Sequence, residues 1–295
     1  MKPSFSARLC LLALAGLLSS GLWAQVTVSG ALRVLEPLKF EYNKEAKAYL
    51  WDFGDGQSST EATPSHVFKK SGPHTIVLRA TNAKGKEKVV EKNIQIDPPA
   101  ACLVELETEF GAMLIQLYDA TPKHQDNFVK LVEENYFDSL LFHRVIQNFM
   151  IQGGDPNSRK AAAGQMLGSG GPGYTIEAEF VDSLIHLKGA LAAARTGDNV
   201  NPQKRSSGSQ FYIVQGQPVN EDMLNRIEAQ KGFRYSKAQR DLYLEKGGTP
   251  FLDRDYTVFG QVIEGLDVLD KIAAVPTDPS NRPLNDVWMK VSLIR

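Results

Sequence analysis

Residues 142–152 read Phe-His-Arg-Val-Ile-Gln-Asn-Phe-Met-Ile-Gln and continue into Gly153, Gly154 and Asp155. The stretch sets one arginine, two large apolar side chains and one amide on what reads as a single strand and its edge. It contains neither the nucleophile–base pairing of a hydrolase nor a metal-ligand spacing. The set suits a site that grips an apolar ring and offers a fixed positive donor to an amide beside it. Its neighbours along the chain decide what fold can carry it.

Before it, residues 102–107 and 113–117 alternate in hydrophobicity around Glu109, Phe110 and Gly111, which predicts a hairpin. Thr121 and Pro122 open a helix, threonine as its cap and proline in its first turn. Phe128, Leu131 and Val132 recur at helical spacing, and the helix is expected to end near Glu134 and Asn135. After the stretch, residues 168–173 (Gly-Ser-Gly-Gly-Pro-Gly) lack the Gly-Lys-Ser/Thr ending of a phosphate cradle and read as a turn where backbones approach. Residues 186–195 and 208–214 bracket a polar loop whose Lys204 and Arg205 read as solvated. Residues 218–248 predict an inserted helical pair. Asn220 caps the first helix ahead of Glu221 and Asp222, and Ser236 with Gln239 forms a capping box on the second. Residues 258–262 predict a strand, 264–273 an amphipathic helix and 287–294 a closing strand. Many strands, few helices and no regular βαβ alternation predict a mainly β fold, a barrel capped by two helices, over residues 101–295.

Further upstream the pattern is all-β. Residues 75–81 and 88–96 alternate across a turn at residues 82–85, and several short strands in residues 25–97 predict a small β-sandwich. Trp51 and Phe53 are expected to share one face and pack its core, and Asp55 with Gly56 supplies a tight turn. Asp52 and Asp55 read as solvated or capping carboxylates rather than calcium ligands, and His66 and His74 as structural or exposed. Asp97, Pro98, Pro99 and Ala100 break the pattern, because two prolines remove two backbone donors, so residues 98–100 form a linker.

At the start, Lys2 and Arg8 precede an apolar run over residues 9–22 and a small residue, Ala24. This predicts a signal peptide over residues 1–24, too short in its apolar part for the roughly 20 residues of a spanning helix. The expected product is exported, being periplasmic, secreted or cell-surface, with no membrane insertion after signal removal. Cys10 leaves with the signal. Cys102 then stands alone without an internal disulfide and reads as a small inward-facing residue, not a nucleophile. A net charge of −1 offers no general attraction to nucleic acid or anionic lipid.

Five separated stretches, in order, give a resemblance. They are residues 127–131 (Asn-Phe-Val-Lys-Leu), 142–144 (Phe-His-Arg), 149–155 (Phe-Met-Ile-Gln-Gly-Gly-Asp), 208–211 (Gly-Ser-Gln-Phe) and 258–260 (Val-Phe-Gly). The span from Ala101 onward resembles the cyclophilins, which are peptidyl-prolyl cis-trans isomerases. The resemblance implies an eight-stranded antiparallel barrel capped by two helices, with Arg144 as the catalytic group. It implies that Phe149, Met150, Tyr212 and Leu252 wall a proline pocket and that Gln152 orients the arginine. Ala194 and Arg195 match the backbone that binds residues before proline, with Gln210 in the same groove. Phe251 and Tyr256 match rim positions, and His143, beside the arginine, is counted with the substrate-binding residues. Phe251 replaces a frequent tryptophan, Tyr256 a frequent histidine, Arg195 a frequent asparagine and Ala193 a frequent methionine. Residues 49–56, 64–66 and 72–78 are similar to the PKD module, an immunoglobulin-like domain expected here to bind protein or carbohydrate.

The chemistry needs no cofactor and no metal. Twisting an X-Pro bond breaks amide resonance against a barrier of roughly 18–20 kcal/mol. The twisted nitrogen regains a lone pair, and a guanidinium aimed at it favours the twisted state over both planar ones. The expected partners are proline-containing segments of client proteins, with assistance to the folding of exported proteins as the role. The alternative is a non-catalytic proline-peptide-binding or surface-adhesion protein.

Overall fold

The computed structural model describes residues 25–295, so the expected signal segment and Cys10 lie outside the described residues. Two compact units emerge. One holds residues up to 32 with 36–67 and 73–95, and the other holds 96–295 with 33–35 and 68–72.

The first unit has a three-stranded sheet (Val26–Ser29, Pro37–Tyr42, Ser65–Val67) and a four-stranded sheet (Ser58–Ser59, Ala48–Asp52, Gly72–Thr81, Glu87–Ile96). Alternation sends Leu38, Phe40, Trp51, Phe53, Ile76 and Leu78 inward, each at most 2% exposed. The Phe40 ring lies 5.1 Å from Phe53 and 6.1 Å from Trp51. Burial of such side chains stabilises by roughly 1.5–3 kcal/mol each. The Trp51 indole N–H donates to Glu61 O at 2.9 Å, so its one polar atom is satisfied. Asp52 and Asp55 accept backbone N–H bonds from Gly54 (2.9 Å) and Gln57 (3.0 Å), the short-range bonds that make a carboxylate a turn former. Asp55 also pairs with His66 at 2.7 Å, and His66 stacks on Phe53 at 4.0 Å, which gives both residues structural partners.

The second unit is built on one antiparallel sheet. Its strands run in the order Leu140–Leu141, Trp288–Leu293, Leu103–Thr108, Gly111–Leu117, Val258–Glu264, Ala190–Ala193, Phe211–Val214, Met150–Gly153 and Arg144–Ile146. The first and last members are separated in sequence only by Phe142 and His143. The sheet therefore curls until both edges meet in one piece of chain. Counting that piece once recovers the expected eight strands. The extra member arises because the strand is interrupted at residues 142–143.

Four helices accompany the sheet among the described residues: α1 (Pro122–Glu133), α2 (Glu221–Lys231), α3 (Lys237–Lys246) and α4 (Leu266–Ala273). Helices α1 and α4 cap the barrel. Phe128, Leu131 and Val132 from α1, and Val268, Leu269 and Ile272 from α4, join Val104, Ile115, Ile151 and Ile213 in one core. Cys102 packs against this core half-buried, and burial pushes its thiol up, away from nucleophile chemistry.

The expected Thr121 cap is not made. Its hydroxyl donates to Tyr118 O at 3.2 Å. Glu179, distant in sequence, accepts the N–H groups of Lys123 (3.1 Å) and His124 (3.0 Å) instead. A full carboxylate serves the positive end of the helix better than a hydroxyl does. Helices α2 and α3 start as the sequence predicts. Asn220 accepts Met223 N–H at 2.9 Å, and Ser236 and Gln239 close a reciprocal capping box. With Ile185 and Val219, the pair forms a small core of Leu224, Ile227, Tyr235 and Tyr243.

Candidate active site

The opening stretch forms two strands, not one. Arg144–Ile146 turns at residues 147–149 and returns as Met150–Gly153. Asn148 takes a left-handed φ of 62°, which asparagine tolerates better than most residues, and this permits the reversal. Side chains then alternate between two faces. Val145, Ile151, Ile213 and Leu191 point into the barrel core. Arg144 pairs in register with Gln152, Gln152 with Tyr212, and Tyr212 with Ala192. These four form a row across four strands on the opposite face.

The polar half of the row is a one-way relay. The Arg144 guanidinium donates to Gln152 Oε1 at 3.1 Å, and the Gln152 amide donates to Gln210 Oε1 at 3.1 Å. Gln210 donates in turn to the carbonyls of Gly168 (2.9 Å) and Gly170 (2.7 Å). Backbone carbonyls can only accept, so the direction of every bond is set back to the arginine. No ion pair involves Arg144 among the described residues, which leaves its remaining N–H groups available. The glycine at 170 is required. A Cβ there would lie 2.1 Å from an oxygen of Asp155, the buried carboxylate that anchors this loop through Asn157 and Gly168.

The apolar half is a cup of about 400 Å³. Phe149, Met150, Tyr212, Leu252 and Tyr256 wall it, and Arg144, Gln152, His143, Ala194 and Arg195 also reach it. Two expected site residues do not line the cup. Gln210 lines the adjoining groove with Gln152, Ala194 and Arg195. Phe251 is 44% exposed and rests on Phe149, with ring centroids 5.7 Å apart.

His143 is 5% exposed, and apart from a backbone contact with Leu141 neither ring nitrogen has a well-formed hydrogen bond among the described residues. Burial, which outweighs the attraction of nearby Asp155, drops it to about 4, so at neutral pH it is uncharged beside Arg144. A neutral imidazole adds no further positive charge beside the Arg144 guanidinium. Ala194 engages both backbone groups, donating to Gln210 O at 2.9 Å and accepting from Ser207 N–H at 2.8 Å. The Arg195 side chain, 5% exposed, donates to Asp255 O, Thr196 O and Asp198, and its guanidinium covers the Tyr256 ring at 4.5 Å. Its charge thus holds the rim in place.

Lys204 and Arg205 are not the solvated pair the sequence suggests. Lys204 pairs with Asp255, and Arg205 donates to Thr175 Oγ1 (2.8 Å) and Thr175 O (3.0 Å). Burial would raise the Asp255 carboxyl, but the Lys204 and Lys231 ammonium groups outweigh it and hold it down.

Other lining residues escape sequence reading. The loop over residues 164–168 closes one side of the cup, with Met166 93% exposed at its mouth. Arg282, 7% exposed, fixes this loop by donating to Ala162 O (2.8 Å) and Gln165 O (3.2 Å), and it pairs with Asp286 at 2.8 Å. A lone arginine far along the chain carries no local signal of that task. The imidazole of His124 bonds Glu179 (2.7 Å) and Ser206 (2.9 Å), and burial lowers it despite the carboxylate, so its role is structural.

Comparison with known proteins assigns a family to each of the two regions. Residues 103–292 match the family model described as cyclophilin type peptidyl-prolyl cis-trans isomerase, and residues 36–97 match that of the PKD domain. A Staphylococcus aureus (strain USA300) protein provisionally named a peptidyl-prolyl cis-trans isomerase is 42% identical over 185 residues, covering 62% of this chain and 87% of the relative. A similarly named Staphylococcus epidermidis protein is 40% identical over the same shares. A crystal structure of a Cryptosporidium parvum cyclophilin type peptidyl-prolyl cis-trans isomerase aligns with a TM-score of 0.49 and 24% identity, over 65% of this chain and 97% of that one.

Proposed function

Since the chain belongs to the cyclophilin-type peptidyl-prolyl cis-trans isomerases, we propose that Arg144 is its catalytic residue and that the adjoining cup receives the proline ring. The observation that carries this reading is the register-fixed row in which Arg144, Gln152 and Tyr212 stand side by side. Phe149, Met150, Tyr212 and Leu252 hold the ring while the chain before it turns. The guanidinium, held by Gln152, donates to the imide nitrogen as its lone pair develops. The donor is charged at every working pH and needs no reorganisation when the twisted state forms. The Arg195 N–H, which has no protein acceptor among the described residues, lies next to Ala194 where a peptide preceding proline would run.

One charge-assisted hydrogen bond stabilises by about 1.5–3 kcal/mol, or about one to two decades of rate. Acceleration beyond that comes from the cup, which excludes water that solvates the planar amide. No covalent bond is made or broken. In a proline-isomerisation assay on a short X-Pro peptide, Arg144→Ala lowers kcat about 10- to 100-fold. An unchanged kcat contradicts the assignment.

We further propose that the substrates are proline-containing segments of exported proteins whose folding the enzyme assists. The signal-like run at residues 9–22 supports this. The PKD domain supports an additional contact with protein or carbohydrate at residues 36–97. Cell fractionation tests the location. Recovery of the mature chain only with cytoplasmic markers contradicts it.

A further inference from the structure

A buried polar chain runs from the cup into the helical insertion. The Tyr212 hydroxyl lies 3.0 Å from His186 Nε2, and the two rings stack 12° from parallel. His186 Nδ1 lies 2.7 Å from Asp253 Oδ1, which also accepts the His186 backbone N–H at 2.9 Å. The second oxygen, Asp253 Oδ2, accepts the hydroxyls of Tyr235 (2.7 Å) and Tyr243 (2.6 Å). None of these five residues is more than 7% exposed.

Chemistry orders the chain. A carboxylate only accepts, so His186 Nδ1–H donates to it, and in the neutral imidazole Nε2 then accepts the Tyr212 O–H. Burial raises all three tyrosine hydroxyls above their ordinary range, so each remains a donor at neutral pH. Four donors converge on one carboxylate and fill its roughly four acceptor positions.

The chain ends on the insertion: Tyr243 lies on α3, and Tyr235 lies just before it. A second strut leaves the end of α2, where Lys231 donates to Asp253 O (2.7 Å) and Asp255 Oδ2 (2.5 Å). Asp253 directly follows Leu252, and Asp255 directly precedes Tyr256. The segment carrying both walls is therefore pinned at two points, while no residue of 218–248 lines the cup. Apolar packing alone would attach two helices to a barrel without fixing the direction of a wall. A fully satisfied hydrogen-bond chain fixes both distance and direction.

We propose that the insertion is a brace rather than a lid, with Tyr235 and Tyr243 as positioning residues for X-Pro isomerisation. They act through Asp253 on the Leu252 wall and, by way of His186, on the Tyr212 wall. This rests on the reading that these walls hold the proline ring. A brace of this kind governs how well the ring is held, not the charge delivered to its nitrogen.

The test uses the whole chain carrying Tyr235→Phe and Tyr243→Phe together, which keeps both rings and removes both hydroxyls. Kinetics on an X-Pro peptide are read beside the 1H–15N resonance of the His186 imidazole. The expected result is a KM raised about tenfold with kcat within about twofold, together with a displaced imidazole resonance. An unchanged KM in a folded variant with a displaced resonance overturns the proposal, as does a loss confined to kcat. Should the double variant not fold, Tyr235→Phe alone leaves the Tyr243 donor. It is expected to raise KM about threefold, and no change overturns the proposal. Arg144→Ala separates the two readings. If it leaves kcat intact, the site assignment fails. If it lowers kcat while the tyrosine variants are silent, only the brace fails.

Discussion

The cup has two walls built by opposite means. The wall of Arg144, Met150 and Gln152 stands on a hairpin, and its side chains are placed by strand register, within the hairpin and against Phe211–Val214. The wall of Leu252 and Tyr256 stands on a short 3-10 turn and a loop, and its position comes from residues remote in sequence. His186, Lys231, Tyr235 and Tyr243 hold Asp253, and Lys204 and Arg195 hold Asp255. A sheet positions side chains through its own backbone bonds. A loop has no such ladder, so buried polar contacts must supply the same precision.

Removing the anchor of the loop-borne wall breaks this comparison most severely. Asp253→Ala leaves the Tyr243 hydroxyl and the His186 imidazole buried without their acceptor, and leaves Tyr235 only the Pro250 carbonyl at 3.1 Å, so it is expected to cost about 3–5 kcal/mol of stability. A melting experiment checks this. A loss under about 1 kcal/mol would show that the wall stands by packing alone. The strand-borne wall should behave in reverse, losing rate rather than stability. Gln152→Ala removes the acceptor that aims Arg144 and is expected to lower kcat about three- to tenfold, with a stability loss near 1 kcal/mol. Steady-state kinetics and melting on the same variant separate the two effects.

The smallest effect concerns pH and sharpens the role of His143. Its folded value of about 4 lies below the ordinary value of 6.5. Below about pH 6.5 the unfolded chain takes a proton that the folded protein refuses until near its own value, so stability falls as pH drops through that window. His124, also lowered, acts in the same direction. His143→Gln is expected to flatten the decline in melting temperature between pH 7 and 5. Because the working cation is an arginine, kcat should stay level between pH 6 and 8. A step in that range, abolished by His143→Gln, would make the histidine part of the chemistry.

The same contrast explains what the sequence could reveal. The barrel, its two capping helices and the strand-borne half of the site were legible, because alternation and helical spacing are local signals. The hairpin break at Asn148 was not, because apolar residues run through both strands without a glycine or proline between them. The insertion and its caps at Asn220 and Ser236 were legible. Its purpose was not, since nothing local links Tyr235 and Tyr243 to Asp253 or to His186. Thr121 misled for a related reason: the better acceptor for the start of α1, Glu179, sits on a distant loop. Lys204 and Arg205 likewise read as solvated until the fold brought partners to them, and Arg282 carried no local signal at all.

Catalysis requires Arg144 to favour the half-turned imide over both planar forms. Exchange NMR of a saturating proline peptide measures on-enzyme isomerisation separately from affinity. With Arg144→Lys and Arg144→Ala, the predicted exchange rate falls in the order Arg, Lys, Ala, reaching about 10- to 100-fold for alanine, while Kd changes less than about threefold. A Kd that rises as far as the exchange rate falls would contradict the account, because the arginine would then bind planar and twisted forms alike.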